Sequence, residues 1–345
     1  MARGRSVRPA PISSFRSAAR QAGAQPQYSW ALHRHHSDLG PADADRPIFC
    51  AHLSLLGIYS WHMASVPVGK RRVGARTLRW LIALLVLLAL GILTFELVAF
   101  FAPLRNDNPG CETPQRSSGC TRVLFIGNSY TAVNNLPIMF ANLAWSGGHR
   151  VETGVQAPGG WSLTDHAVSQ DTVTALSSKE WDIVVLQEQS EIPSVESQRQ
   201  ALMYPAARQL VLMARNAGAK PIFFVTWAHR AGWPENGMPD YFSMQRSIDS
   251  GYLAIAGEQH AIVAPVGFAW MALVTQSVPG LWQDDGSHPT TLGTYLAASV
   301  FYSTIFFHSP AGLKYHANLS DDDAANMQGV AASTVFGDPS KWGLP

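Results

Sequence analysis

Ser129 follows the apolar run RVLFIG (122–127), two residues past the Gly127 that ends it. A small hydroxyl residue at such a place is positioned to act as a nucleophile. Far along the chain, DDGSHPTTLG (284–293) sets Asp285 and His288 three residues apart. On a loop, that spacing lets the carboxylate reach the imidazole Nδ1 while Nε2 faces outward toward a nucleophile. Other segments carry groups that can bind a developing negative charge. APGGWS (157–162) contains the pair Gly159 and Gly160, whose backbone N–H groups can approach an anion closely. QEQS (187–190) contains the amides of Gln187 and Gln189, while Trp227, His229 and Arg230 end or come after another apolar run. A nucleophile, a base, an acid to orient the base, and oxyanion donors are the parts of acyl transfer.

Each of these residues also has a plainer reading. An isolated Ser is more often a helix N-cap or a turn residue. His288 can be a surface imidazole ahead of a Pro-initiated helix, Asp284 a cap or loop charge, and the glycine pair a simple turn. Gln189 can be a polar strand end. Its neighbour Glu188 reads as a solvated or ion-paired structural residue. His166, in SLTDHA (162–167), either lines the site or caps a helix, and a structural role is favoured.

Chemistry requires a scaffold that gathers these positions at one rim. Buried-type strands are expected over 122–127, 150–157, 181–187, 220–228 and 261–267. Helical patterns fill 136–148, ending at paired glycines, and 163–177. Another covers 195–216, with Leu202, Ala206 and Leu210 on one face, Pro205 able to kink it and Gly218 as its stop. Further helices are expected over 241–259, from Pro289 to about 307, and over 320–334. Strands alternating with helices mean an α/β fold with a mainly parallel sheet. Continuous apolar strands call for helices on both faces, hence a three-layer α/β/α arrangement with five strands. In such sheets ligands bind outside the carboxyl ends of the strands, where all the residues above fall.

In this order the pieces resemble the SGNH, or GDSL-type, hydrolase superfamily, over roughly residues 120–308. That family has a nucleophilic Ser near the start of its domain, then a Gly, an Asn and a late Asp-x-x-His. In FIGNSYT the Ser falls on Ser129, and in APGGWS the oxyanion Gly falls on Gly159 or Gly160, with Gly160 preferred. In DDGSHP the late pair falls on Asp285 and His288. Two blocks depart from the pattern. Asn128 stands where the first block usually has Asp, and in LQEQS Gln187 takes the place of Gly and Gln189 that of Asn. The VVLQEQS form resembles a branch of the superfamily that carries Gln there.

The resemblance implies a flavodoxin-like fold and serine ester hydrolysis, with Ser129, His288 and Asp285 as the triad. It also implies an oxyanion hole built from the Ser129 N–H, the Gly160 N–H and the Gln189 side chain. No metal or other cofactor is expected. Asn128, Gly159, Trp161, Gln187 and Trp227 are candidates for substrate contact. Trp161, Trp227 and Trp233, in or near rim loops, are able to stack on sugar rings, although with 11 Trp in the chain core packing is at least as common a fate. An O-acylated carbohydrate is the expected substrate. A lipid or small ester, acyl transfer in the reverse sense, and a non-catalytic glycan-binding protein on the same fold are the alternatives.

The remainder of the 345-residue chain bears on location. Its charged fraction is 14%, well below the ~25% usual for soluble domains, and its formal net charge of +1 gives no reason to expect nucleic acid. Residues 80–102, WLIALLVLLALGILTFELVAFFA, are long enough to cross a bilayer, with Glu96 as their one charge. Lys70, Arg71, Arg72, Arg76 and Arg79 precede the run with no acid among them, which keeps that side in the cytoplasm and exports the C-terminal side. An uncleaved signal anchor is expected rather than a cleaved signal peptide, which would leave the domain secreted. Residues 1–62 have no sustained apolar period. Met63 opens a normal-looking start with a basic segment over 63–79, so the upstream part is expected to be a mis-assigned extension or a disordered tail. A linker (103–119) leads to the hydrolase-like domain (120–336) and a short tail (337–345). In an exported domain Cys111 and Cys120 are expected to form a disulfide, and Cys50 has no evident role.

Overall fold

The structure, a computed structural model, describes residues 104–113 and 116–345, together with Trp80 and residues 84–87. Among these residues no helix is long and apolar enough to cross a membrane. The segments 1–62 and 63–79, and all of the apolar run 80–102 except Trp80 and residues 84–87, lie outside the described residues.

Five parallel strands form one sheet in the order β2-β1-β3-β4-β5. They are β1 (Thr121–Ile126), β2 (Val151–Gln156), β3 (Ile183–Leu186), β4 (Lys220–Phe224) and β5 (Ile262–Ala264). The one-turn helix α1 (Ser129–Ala132) and then α2 (Leu136–Ser146) connect β1 to β2. The helices α3 (Leu163–Val168) and α4 (Gln170–Ser177) come after β2, and α5 (Tyr204–Asn216) after β3. After β4 comes α6 (Tyr241–Glu258), and after β5 come α7 (Val266–Thr275), α8 (Thr291–Phe306) and α9 (Asp321–Gly337).

The strands that are buried on both sides are the continuous apolar ones. Ile183–Leu186 is buried throughout, whereas the more polar β2 is half-exposed, as suits a sheet edge. Helix α2 packs on α8, and α9 on α8, while α4 contacts β1 and β2, α5 contacts β3 and β4, and α6 contacts β5. Right-handed crossovers put these two sets on opposite faces, giving the expected three layers. Phe125 of β1 meets the rings of Phe140 and Phe301 at 6.0 and 5.3 Å, tying the sheet to α2 and α8. Cys111 and Cys120 are joined by a disulfide just before β1.

Three expected elements differ in more than their ends. The helical pattern 163–177 is two helices, α3 and α4, because Ser169 between them is extended and its side chain caps α4. The run 261–267 ends as a strand at Ala264, because Pro265 breaks the ladder and caps α7, a helix the apolar pattern had hidden. The stretch 195–216 is interrupted by a π-helical turn, Arg199–Met203, immediately before Pro205. Proline has no N–H to donate there, and the wider turn accommodates it. The turn also shifts the helical phase, so Met203 is buried and Leu202 is 39% exposed instead of sharing the face of Ala206 and Leu210.

Candidate active site

Ser129 is the first residue of α1, immediately beyond the carboxyl end of β1. Asn128 caps that turn, its Oδ1 accepting from the Tyr130 N–H at 3.0 Å. Gly127 is required by what lies above it. A Cβ there would fall 2.4 Å from Gln187 Oε1 and 2.7 Å from Thr131 Oγ1. The strand end is held from two sides, by Gly127 N–H donating to Gln156 O (2.9 Å) and by His166 Nε2–H donating to Gly127 O (2.7 Å). His166 is fully buried, its Nδ1 lies 2.9 Å from the Thr172 hydroxyl, and burial pushes its imidazole below the ordinary pKa. It is therefore a neutral brace for the Ser129 turn.

Asp285 and His288 lie on the hairpin 281–290. Gln283 N–H donates to His288 O (2.8 Å), Thr290 N–H donates to Leu281 O (3.0 Å), and Gly286 makes the reversal at φ +69°. Asp285 Oδ1 accepts from the Ser287 and His288 N–H groups, both at 2.9 Å. Its Oδ2 lies 2.5 Å from His288 Nδ1, and His288 Nε2 lies 2.9 Å from Ser129 Oγ. A carboxylate facing Nδ1 puts the proton on Nδ1. Nε2 is left as an acceptor for the Ser129 hydroxyl. Partial burial pulls the Asp285 carboxyl upward, but the two backbone N–H groups and the imidazole more than offset it and hold the group below its usual range. The acid beside the imidazole thus stays ionised.

An aromatic stack supports this hairpin from below. Tyr130 lies flat on Trp227 (centroids 4.6 Å), which lies flat on Trp270 (4.2 Å). Trp227 Nε1–H donates to Ser287 O (2.9 Å), and the Tyr130 and Ser287 hydroxyls are 2.7 Å apart. Trp227 is wholly buried. It offers no face to a ligand, which corrects the expectation that it contacts substrate.

The loop after β3 is the largest departure from the sequence reading. Gln187 is fully buried, with Oε1 accepting from Asn128 N–H and Thr131 Oγ1–H at 2.9 Å each. Its Nε2 donates to Asn128 Oδ1 (3.0 Å) and Glu188 O (2.6 Å). Gln187 and the buried Asn128 are thus committed to each other beneath the Ser129 turn and are not open to substrate. Gln189 Oε1 accepts from the Glu191 and Ile192 N–H groups at 2.7 and 3.1 Å. Those donors fix the orientation of the amide, so its NH₂ faces the opposite way, 3.5 Å from Ser190 Oγ. His229 Nε2 lies 3.3 Å from the same hydroxyl. Glu188 is neither solvated nor ion-paired. It is completely buried, its Oε1 accepting from the Leu163 N–H (3.0 Å) and the Gln189 N–H (2.7 Å). No pattern in the sequence separates such an acid from a surface one.

Gly159 and Gly160 are exposed, and Gly160 has φ +76°, a conformation that favours glycine. This loop is tied to the Ser129 turn by Asn128 Nδ2–H, which donates to Trp161 O at 2.9 Å. The Trp161 ring is half-buried, edge-on to His166 with centroids 5.0 Å apart. Arg230 lies over Gly286 and donates to Asp284 O (3.1 Å).

No protein-family model and no curated protein matches the chain. Solved structures do. A protein from Slackia heliotrinireducens, described provisionally as an SGNH hydrolase, is 31% identical over 54% of this chain and 99% of its own, with a TM-score of 0.47. A DUF4886 family protein from Bacteroides uniformis is 19% identical over 64% of this chain and 96% of its own, with a TM-score of 0.54, which shows a shared fold. An acetyl xylan esterase from Geobacillus stearothermophilus is 16% identical over 57% of this chain and 98% of its own, with a TM-score of 0.45.

Proposed function

Since the chain belongs to the SGNH (GDSL-type) hydrolase superfamily and is a serine ester hydrolase of that kind, we propose that Ser129, His288 and Asp285 are its catalytic triad. The observation that carries this is the unbroken relay from Asp285 through His288 to Ser129, at 2.5 and 2.9 Å. His288 Nε2 takes the Ser129 proton as Oγ attacks the ester carbonyl, and the ionised Asp285 stabilises the imidazolium that forms. His288 then returns the proton to the departing alcohol. Water, activated by the same imidazole, releases the acyl group from Ser129.

The tetrahedral oxyanion is bound by the Ser129 N–H, the Gly160 N–H and the Gln189 side chain. The orientation of Gln189 supports its part, because its oxygen is occupied by two backbone donors and its NH₂ is left to donate. Each such donor contributes about 10²–10³ in turnover. The substrate we propose is an O-acyl, chiefly acetyl, group on a carbohydrate. The half-buried Trp161 beside Gly160 supports this reading, since its exposed part can contact a sugar ring. In this reading the domain lies on the exported side of a membrane, anchored by the apolar run 80–102, and the Cys111–Cys120 disulfide supports an oxidising compartment.

Hydrolysis of p-nitrophenyl acetate and of an acetylated oligosaccharide by the full chain in detergent tests this reading. Ser129→Ala removes turnover on both, and the glycan ester is preferred in kcat/KM. Turnover unchanged by Ser129→Ala would refute the assignment of the nucleophile.

A further inference from the structure

We infer that Glu188 is a positioning residue of the oxyanion hole, one of its carboxyl oxygens clamping the loop of Gly160 to the strand-end turn of Gln189. The inference rests on the esterase reading above, in which Gly160 and Gln189 donate to the oxyanion.

The clamp is a single atom. Glu188 Oε1 accepts from the Gln189 N–H at 2.7 Å and from the Leu163 N–H at 3.0 Å. The first donor is the backbone of the proposed oxyanion residue itself. The second belongs to the first residue of α3, three positions after Gly160, where Ser162 and Asp165 cap the helix reciprocally. The segment from Gly160 to Leu163 is therefore fixed at one end by this acid. Nearer the glycine it is fixed by Asn128, which holds Trp161 O. Glu188 is itself anchored, because its N–H donates to Tyr252 Oη of α6 at 2.9 Å.

Its other oxygen, Oε2, is buried and has no hydrogen-bond partner among the described residues. The charged group that acts on it is Asp165 of α3, which repels it. Burial, with Asp165 adding to it, pushes the carboxyl up to about 7 against the pull of the two N–H groups. Below that value the acid is neutral, and a proton on Oε2 then leaves Oε1 as the carbonyl oxygen that accepts both bonds. An apolar residue at 188 would leave two buried N–H groups unpaired in two separate loops. What the site needs from Glu188 is thus an acceptor at a fixed reach, and not a charge.

Three substitutions separate reach from charge, read in the full chain on p-nitrophenyl acetate with melting temperatures alongside. Glu188→Gln keeps a carbonyl oxygen at the same reach and places NH₂ where Oε2 was. Its kcat is expected within about 5-fold of the parent. Glu188→Asp keeps the acid but is one methylene short of spanning both donors, and Glu188→Ala removes the acceptor. Both are expected to lose about 10–100-fold in kcat, below the full loss of an oxyanion donor, with KM moved less than about 3-fold. Should the Ala variant not fold, the Gln and Asp variants carry the comparison. Parental kcat in the Ala or Asp variant, with Ser129→Ala inactive, would overturn the clamp alone. So would a Gln variant as impaired as the Ala variant, since that requires the acid itself. An active Ser129→Ala would instead sink the esterase reading.

Discussion

Gly127→Ala puts one methyl group at the point where the strand, the nucleophile turn and the third loop meet. Its Cβ would lie 2.4 Å from Gln187 Oε1, 2.7 Å from Thr131 Oγ1 and 3.1 Å from Gln187 Cβ. Real contacts do not reach that distance, so Gln187 must move, and it cannot move without breaking bonds. Its Oε1 holds Asn128 N–H and the Thr131 hydroxyl, each at 2.9 Å. Overpacking costs about 1–3 kcal/mol, and two hydrogen bonds contribute roughly 1 kcal/mol each, so the expected loss is about 4 kcal/mol. With a urea m-value of about 2–3 kcal/mol/M, the unfolding midpoint falls by about 1.5 M. Activity falls as well, because Asn128 precedes Ser129 and a displacement of about 1 Å in a reacting atom can cost about 10²-fold. A double-mutant cycle with Gln187→Ala isolates the clash. Once the amide is gone the closest clash, at 2.4 Å, is relieved and only Thr131 Oγ1 and the Cβ of residue 187 still press on the methyl group, so the combined loss is smaller than the sum of the two by about 1 kcal/mol. A Gly127→Ala variant with a midpoint within about 0.3 M of the parent and unchanged kcat would refute the packing argument.

Two further outcomes concern other groups. Asp285→Asn keeps an oxygen for the Ser287 and His288 N–H groups but offers NH₂ to the imidazole, favouring the wrong tautomer. The expected fall in kcat is about 10³–10⁴ with the fold retained by circular dichroism. Asp249 is buried on α6, its Oδ1 accepting from Gln245 Nε2 at 2.8 Å. Burial pushes its carboxyl up to about 7, opposed by that bond and by Lys341. A folded-state pKa above the unfolded value contributes stability that is complete below about pH 4 and lost as pH rises through about 7. Asp249→Asn lacks this loss. Its stability relative to the parent, from thermal unfolding, should therefore climb between about pH 4 and 7 by up to about 4 kcal/mol and then level off. A flat difference would contradict it.

Much of the geometry of the proposed triad was legible because it is local. Asp285 and His288 are three residues apart on one hairpin, and Ser129 comes just after a strand whose apolar run names its layer. Four of the five strands could be found for the same reason, each being a short continuous apolar run, whereas β2 (VETGVQ) is more polar. What stayed hidden depends on contacts between segments far apart in sequence. The burial of Glu188 needs the start of α3 and Tyr252 of α6 to close over it. The loss of Trp227 from the rim needs Tyr130 and Trp270 to sandwich it. The displaced Leu202 reflects a backbone event, the π turn before Pro205, that apolar spacing does not encode. Helix α7 was masked because the apolar residues of β5 run into it without a change of composition, and only Pro265 marks the boundary.

The hydrogen bond between Ser129 and His288 joins residues 159 positions apart. Strands β2 to β5 all lie between them in sequence, and each parallel pairing needs a full crossover before it can form. Such non-local contacts make folding slow, since loop closure must precede any gain. In the proposed triad Ser129 emerges from synthesis well before Asp285 and His288, so a chain truncated between them carries Ser129 without its proposed base. In this reading turnover reports a chain made at least through His288.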